Sequence, residues 1–291
     1  MQKLLLSLCA VCAIVALCIF ISCEKADISN EVDEPSGNLK VSVFQIEQTA
    51  FSTFTRAEQP ASEVCTRLNF AIYDKDGTRI KQVNQTSTEA DFGTTSFKLE
   101  QGDYLLVVVG HSASGNPTMT NPEKIQFTNS TGYTDTFLSC DTVTIGEEPI
   151  DMQVTLNRIV ALCRFVITDD FPDEVKKMRF YYTGGSGAFD AHTGLGSVNS
   201  KQDVKFDVDP TQKQFDLYTF LHDTEGTIAL KVTALDAAGN ELYTREFDVP
   251  MQQNHITWLT GAFFDGSGSS STNVTTVTVI TDWAGENHIT F

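Results

Sequence analysis

The chain has 291 residues, 38 acidic against 20 basic, and a net charge of −18 at pH 7. A surface this acidic repels nucleic-acid phosphates and anionic headgroups, which excludes nucleic acid as a partner. Apolar and polar residues alternate through most of the length, with abundant Val, Ile, Thr, Phe and Tyr, so an all-β fold is expected.

The chain opens with one positive charge, Lys3, before an apolar run from Leu4 to Ile21. A run of about 18 residues is near the lower limit for a membrane span, so length alone permits a transmembrane anchor. The run ends, however, as Phe20-Ile21-Ser22-Cys23, a small residue before a cysteine as in a bacterial lipobox, although Leu is commoner than Phe at its position. The small side chain admits signal peptidase, and the thiol accepts diacylglycerol. Residues 1–22 therefore read as a lipoprotein signal peptide and Cys23 as the lipidated N-terminus. Removing 22 residues leaves 269 of the 291. Residues 23–39 are polar and acidic, contain Pro35 and Gly37, and predict a flexible tether. The carboxylates of Glu24, Asp27, Glu31, Asp33 and Glu34 resemble the surface-export signals of some Gram-negative gut and oral bacteria.

Strand patterning follows at 40–44, 68–73, 104–109, 152–156, 160–167, 178–182, 215–221, 228–235, 255–260 and 275–281. Only Asp173–Lys177 and Asn121–Ile125 read as briefly helical. Two stretches resemble each other: Leu68–Lys81 and Ile228–Arg245 each run strand, Asp-x-x-Gly, strand. Asp74 aligns with Asp236 and Gly77 with Gly239; the Asp starts a tight turn and the Gly supplies positive φ. The simplest reading is two β-sandwiches in tandem, residues 40–157 and 158–264. Residues 265–291 then hold a Gly/Ser linker (DGSGSSSTN) and a strand from Val274 to Thr281, which must close a sheet or add to a partner's edge.

Of the mature cysteines, Cys65, Cys140 and Cys163 lie in apolar strand-like contexts, so buried free thiols are preferred to one disulfide plus one thiol. Asp74-Lys75-Asp76-Gly77 begins like a calcium loop but lacks the remaining ligands, and a hairpin turn is the better reading. The five histidines are dispersed, which argues against a metal site. The glycines around Ser186 lack a phosphate-loop ending and read as a flexible loop; Ser186 does not meet the nucleophile-elbow pattern. No catalytic constellation emerges, so the chain is read as a non-enzyme with no cofactor. Arg56, followed by Ala57, stands between a β-prone segment and a polar stretch, where a trypsin-like protease could reach it; the alternative is an ordinary exposed arginine. Thr142, in Asp141-Thr142-Val143, fits an Asp-Thr-apolar pattern for O-glycosylation.

A lipobox cysteine with an acidic tether, then LNFAIYDKDGTRIKQV, FKLEQGDYLLVVVGH, LNRIVALCRFVI and NHITWLTGAFF, resembles the fimbrillin superfamily. The likeness is nearest to its minor-fimbrium anchor and accessory subunits. The resemblance implies two transthyretin-like β-sandwiches, a lipoprotein route to the outer membrane and cell surface, and other fimbrial subunits as partners through strand exchange. In that family, shaft subunits are cut by an arginine-specific protease that removes the first strand, and a partner's strand fills the groove. Arg56 matches the place of such a cut, and Val274, Val277, Val279 and Thr281 the place of a donor strand. Anchor subunits keep the N-terminal segment and its lipid, and retention is favoured here. The alternative is a surface glycan-binding lipoprotein of a polysaccharide-uptake system. That role needs a flat aromatic platform, and the tryptophans available are Trp258 and Trp283.

Overall fold

The computed structural model describes residues 37–47, 61–128, 133–265 and 285–291. Nearly all regular structure in it is β. The first half contributes β1 (Leu39–Glu47), β2 (Arg67–Tyr73), β3 (Arg79–Thr86), β4 (Thr94–Phe97) and β5 (Gly102–His111). It continues with β6 (Thr118–Asn121), β7 (Lys124–Gln126), β8 (Thr136–Ile145) and β9 (Ile150–Arg158). The second half runs β10 (Ala161–Ile167), β11 (Lys177–Thr183), β12 (Ala188–Phe189), β13 (Gln202–Asp207) and β14 (Gln214–Thr219). Its last strands are β15 (Glu225–Leu235), β16 (Glu241–Gln252), β17 (His255–Gly261) and β18 (Gly285–Thr290). A single helical turn, α1 (Ala61–Val64), precedes β2.

The strand orders repeat. In the first half the order β3-β2-β5-β8 continues through β9-β1-β4 as one seven-stranded sheet, joined by the pairs Phe137↔Arg158 and Leu138↔Asn157. The second half has β13-β11-β15-β16 and, separately, β14-β10-β17-β18. With the inserted β6, β7 and β12 and the last strand, β18, set aside, the two halves match strand for strand in chain order. In each, the first strand lies antiparallel to the fourth and parallel to the seventh: β1 between β4 and β9, β10 between β14 and β17.

Period-two patterning gives each half an apolar interior. In the first, Leu39 and Val41 meet Leu68, Phe70, Leu106 and Val108. In the second, Phe165, Phe180, Phe215 and Leu230 form the corresponding centre. A third cluster lies between the halves. Ala71 and Tyr73 of β2 and Val107 and Val109 of β5 face Ile159, Leu162, Phe220 and Ile256. Both faces of β2 and β5 are thus buried, and residues Gly37–Phe291 make one compact unit. Arg158, only 6% exposed, forks onto Asp135 at 2.7 and 2.8 Å and lies 4.9 Å from the Phe137 ring centre. The small sheet β12-β7-β6 draws strands from both halves.

Three expectations need correction. Asn121–Ile125 is not helical: it is the end of β6, a turn at Pro122 and Glu123, and the start of β7, with Asn121 Oδ1 accepting the Glu123 amide. Asp173–Lys177 holds one turn, closed by the Val175 amide on the Pro172 carbonyl, and runs into β11 at Lys177. The glycine loop around Ser186 is packed, not loose. Ser186 is fully buried and bridges to Phe220, and its Oγ accepts the amides of Ala188 and Val198. A Cβ on Gly185 would stand 2.0 Å from Thr219 Oγ1, so glycine serves close approach here and not freedom.

Candidate functional site

Two strands, one near each end of the described chain, are held in different ways. Asn38 introduces β1 by pairing its side chain with the Leu99 backbone, donating to the carbonyl at 2.8 Å and accepting the amide at 2.9 Å. Leu39 and Val41 are fully buried and Ile46 is 7% exposed. Burial of such side chains contributes about 2 kcal/mol each, so β1 is held by roughly 6 kcal/mol of apolar contact besides its two ladders. The register slips at Phe44, which turns outward and is 55% exposed. Before the slip, the Val43 amide donates to the Gly93 carbonyl at 2.8 Å. The left-handed Gly93 (φ 96°) is fixed in turn by Gln85 Oε1, which accepts its amide.

β18 is held differently. It adds to β17 in parallel from His255↔Gly285 to Thr260↔Thr290. Glu286, 4% exposed, accepts the Trp258 indole N–H at 2.9 Å, and His288 stacks on that indole at 5.4 Å. Arg164 covers the indole from the other side at 5.0 Å while forking onto Asp216 at 2.7 Å. The hydrogen bond to Asp216 raises the guanidinium's proton affinity further. Ile289 enters the second core, and the Phe291 ring stacks on Phe165 at 5.1 Å. Ahead of the 266–284 segment, the Asp169 carboxylate accepts the amides of Phe263, Phe264 and Asp265, pinning the end of the sheet.

Cys23, expected to carry lipid, Arg56 and Ala57, expected to flank a cut, and Val274, Val277, Val279 and Thr281, expected on a donor strand, lie outside the described residues, as does Trp283. Thr142 is exposed on β8 opposite Leu105, beside the Asp74–Gly77 turn in a cleft of about 760 Å³. That turn is a hairpin: Asp74 Oδ1 accepts the amides of Asp76 and Thr78, and Gly77 has φ 75°. Cys65 and Cys163 are buried and Cys140 is half-buried; burial pushes their thiols up to about 12, 12 and 11 respectively. His111 is buried, donates from Nε2 to Asn69 Oδ1 and accepts the Ala113 amide at Nδ1; burial lowers its pKa to about 4, so it stays neutral. Among the described residues no three His, Cys, Asp or Glu side chains converge as metal ligands.

β18 escapes the sequence reading. Gly285, Glu286, Asn287 and His288 carry little strand propensity, and the signal that could have found it is the apolar pair Ile289 and Phe291 spaced by two.

A family model matches residues 32–289, which is most of the length. The chain belongs to a family of unknown function (DUF6562). No curated protein matches this DUF6562 chain. Solved structures resemble it distantly. A candidate adhesin from Bacteroides ovatus is 16% identical over 78% of this chain and 87% of its own, with a TM-score of 0.48. The fimbrial anchor protein Mfa2 of Porphyromonas gingivalis is 15% identical over 71% and 80%, with a TM-score of 0.41. A fimbrial assembly protein of Parabacteroides distasonis is 14% identical over 77% and 89%, with a TM-score of 0.36.

Proposed function

We propose that this DUF6562 chain is a structural subunit of a cell-surface fimbria, held at the outer membrane by lipid on Cys23 and joined to other subunits by β-strand exchange. What supports the role is the chain's own strand order. The observation that carries it is the seat of β1. This first strand lies between β4 and β9 with Leu39, Val41 and Ile46 inward, and its covalent link to β2 runs through residues 48–60, which contain Arg56. A strand so seated is exchangeable for another of the same pattern, main-chain bonds giving affinity and alternate side chains specificity.

In this proposal residues 40–157 and 158–264 are the two sandwiches and 265–291 supply the linker and C-terminal strands, with Val274, Val277, Val279 and Thr281 on the donor. Cleavage after Arg56 would separate β1 and the lipid from the subunit. An uncut chain keeps both, and that form is an anchor or accessory subunit. An O-linked glycan on Thr142 would project from the exposed face of β8. The role requires no catalysis. The glycan-binding alternative is disfavoured because Trp258 is covered by Arg164 and His288 and offers no open platform.

Mass spectrometry of surface-extracted protein tests the proposal. An acylated Cys23 terminus in polymer fractions is expected. A terminus at Ala57 would make the chain a cut shaft or tip subunit. Recovery only as monomer, with no fimbrial association, would overturn the role.

A further inference from the structure

The repeated halves differ at one edge. In the second, β17 carries β18 on the edge away from β10. The corresponding strand of the first half is β9, whose edge away from β1 is paired only at Asn157 and Arg158. From Ile150 to Leu156 no strand among the described residues lies along it. Two bonds set the direction of its main chain: the Ile150 amide donates to Asn38 on the β1 side, and the Ile159 amide to Thr136 on the β8 side. Along a strand these groups alternate, so Asp151, Gln153 and Thr155 turn theirs to the open edge. Here β8 and β9 part, leaving a groove of about 510 Å³ lined by Ser139, Cys140 and Asp141 on one wall and Gln153 and Thr155 on the other.

We infer that this edge is a second strand-acceptor site, taking residues 274–281 of another copy of the chain in parallel with β9. The filled edge of β17 displays the kind of occupant the position fits, a parallel strand of about that length. The segment Val274–Thr281 is β-branched at every position and carries no charge. The groove has Asp141 in its wall and no lysine or arginine in its lining, so an uncharged strand enters where an acidic one is repelled. Residues 266–273, rich in Gly and Ser, reach up to roughly 27 Å when extended, which permits transfer to a neighbour. The identity of the occupant rests on the strand-exchange role proposed above; the open edge does not.

The test is a fluorescein-labelled peptide of residues 272–283 titrated into the mature chain, with amide hydrogen exchange followed along β9. Saturable binding is expected, with exchange of the Asp151, Gln153 and Thr155 amides slowed at least tenfold and exchange in β17 unchanged. Gln153→Pro, which removes one outward N–H, should weaken binding at least tenfold. Binding without protection at these amides, or undiminished binding to a folded Gln153→Pro variant, overturns the site; should that variant not fold, exchange in the unaltered chain decides. A peptide that instead displaces β1, accelerating exchange in Leu39–Glu47, overturns this site and leaves the fimbrial role standing. Protection at β9 in a chain that never enters fimbriae keeps the site and removes the role.

Discussion

The first strands of the two halves occupy the same place yet are attached differently. β10 follows β9 after only Ile159 and Val160, both buried, so it cannot leave without opening the contact between the halves. β1 has no such neighbour in sequence: a 13-residue stretch, 48–60, separates it from α1. The seventh strands differ in the opposite sense: β17 is covered by β18, while among the described residues no strand lies along β9 from Ile150 to Leu156. Among the described residues the second half thus carries one strand more than the first, and in the proposed assembly the first half is the one that exchanges its strand. In that proposal one repeated topology serves support in one half and exchange in the other.

Removing each extra strand should break the comparison most strongly. Deletion through Glu47 strips Leu39, Val41 and Ile46 from the first core and should cost roughly 6 kcal/mol. Deletion of Gly285–Phe291 removes Ile289 and Phe291 and should cost about 4 kcal/mol. Urea titrations of both, with a peptide of residues 37–47 added back, measure the difference; rescue of the first deletion by peptide is expected. Equal stability of the first deletion and the intact chain would sink the exchange mechanism. A smaller effect is expected at the junction. Arg158→Ala strands Asp135, a quarter of whose side chain stays exposed, and should destabilise by about 3 kcal/mol, and calorimetry should show two unfolding transitions where the intact chain gives one, as the halves uncouple. The smallest effects belong to the two Asp-x-x-Gly turns. Gly77→Ala and Gly239→Ala each place a Cβ at positive φ and should cost about 1–2 kcal/mol. The turns are built alike, so chemical denaturation should give nearly equal losses.

Those turns also show how far a sequence carries. Asp74 and Asp236 accept the same pair of amides, two and four residues on, and Gly77 and Gly239 have φ of 75° and 88°. Their alignment points to two similar sandwiches, and the strand orders do repeat. Yet the first turn joins the second and third strands of its half, and the other joins the fifth and sixth. The true counterpart of β15–β16 is β5–β8, whose connection holds β6 and β7 and shares no such turn. Turn chemistry is local and legible, whereas strand order depends on contacts distant in sequence and leaves little residue-level trace. The seat of β1 is half-legible: Lys40 to Phe44 announces a strand, but nothing in it names β9 as the parallel partner. In the loop at Ser186 the glycines mislead because the same residue serves both freedom and tight packing.

The direction of β1 has a mechanical consequence. It runs parallel to β9 and antiparallel to β4, with Asn38 clamped to Leu99 at its entry. Tension applied to the chain ahead of Leu39 acts along the strand axis. The ladder bonds on both flanks then bear load together in shear instead of opening one after another. In the proposed assembly, a tether attached there would resist sudden pulling far better than slow substitution by a competing strand, which makes the joint strong under drag and exchangeable at rest.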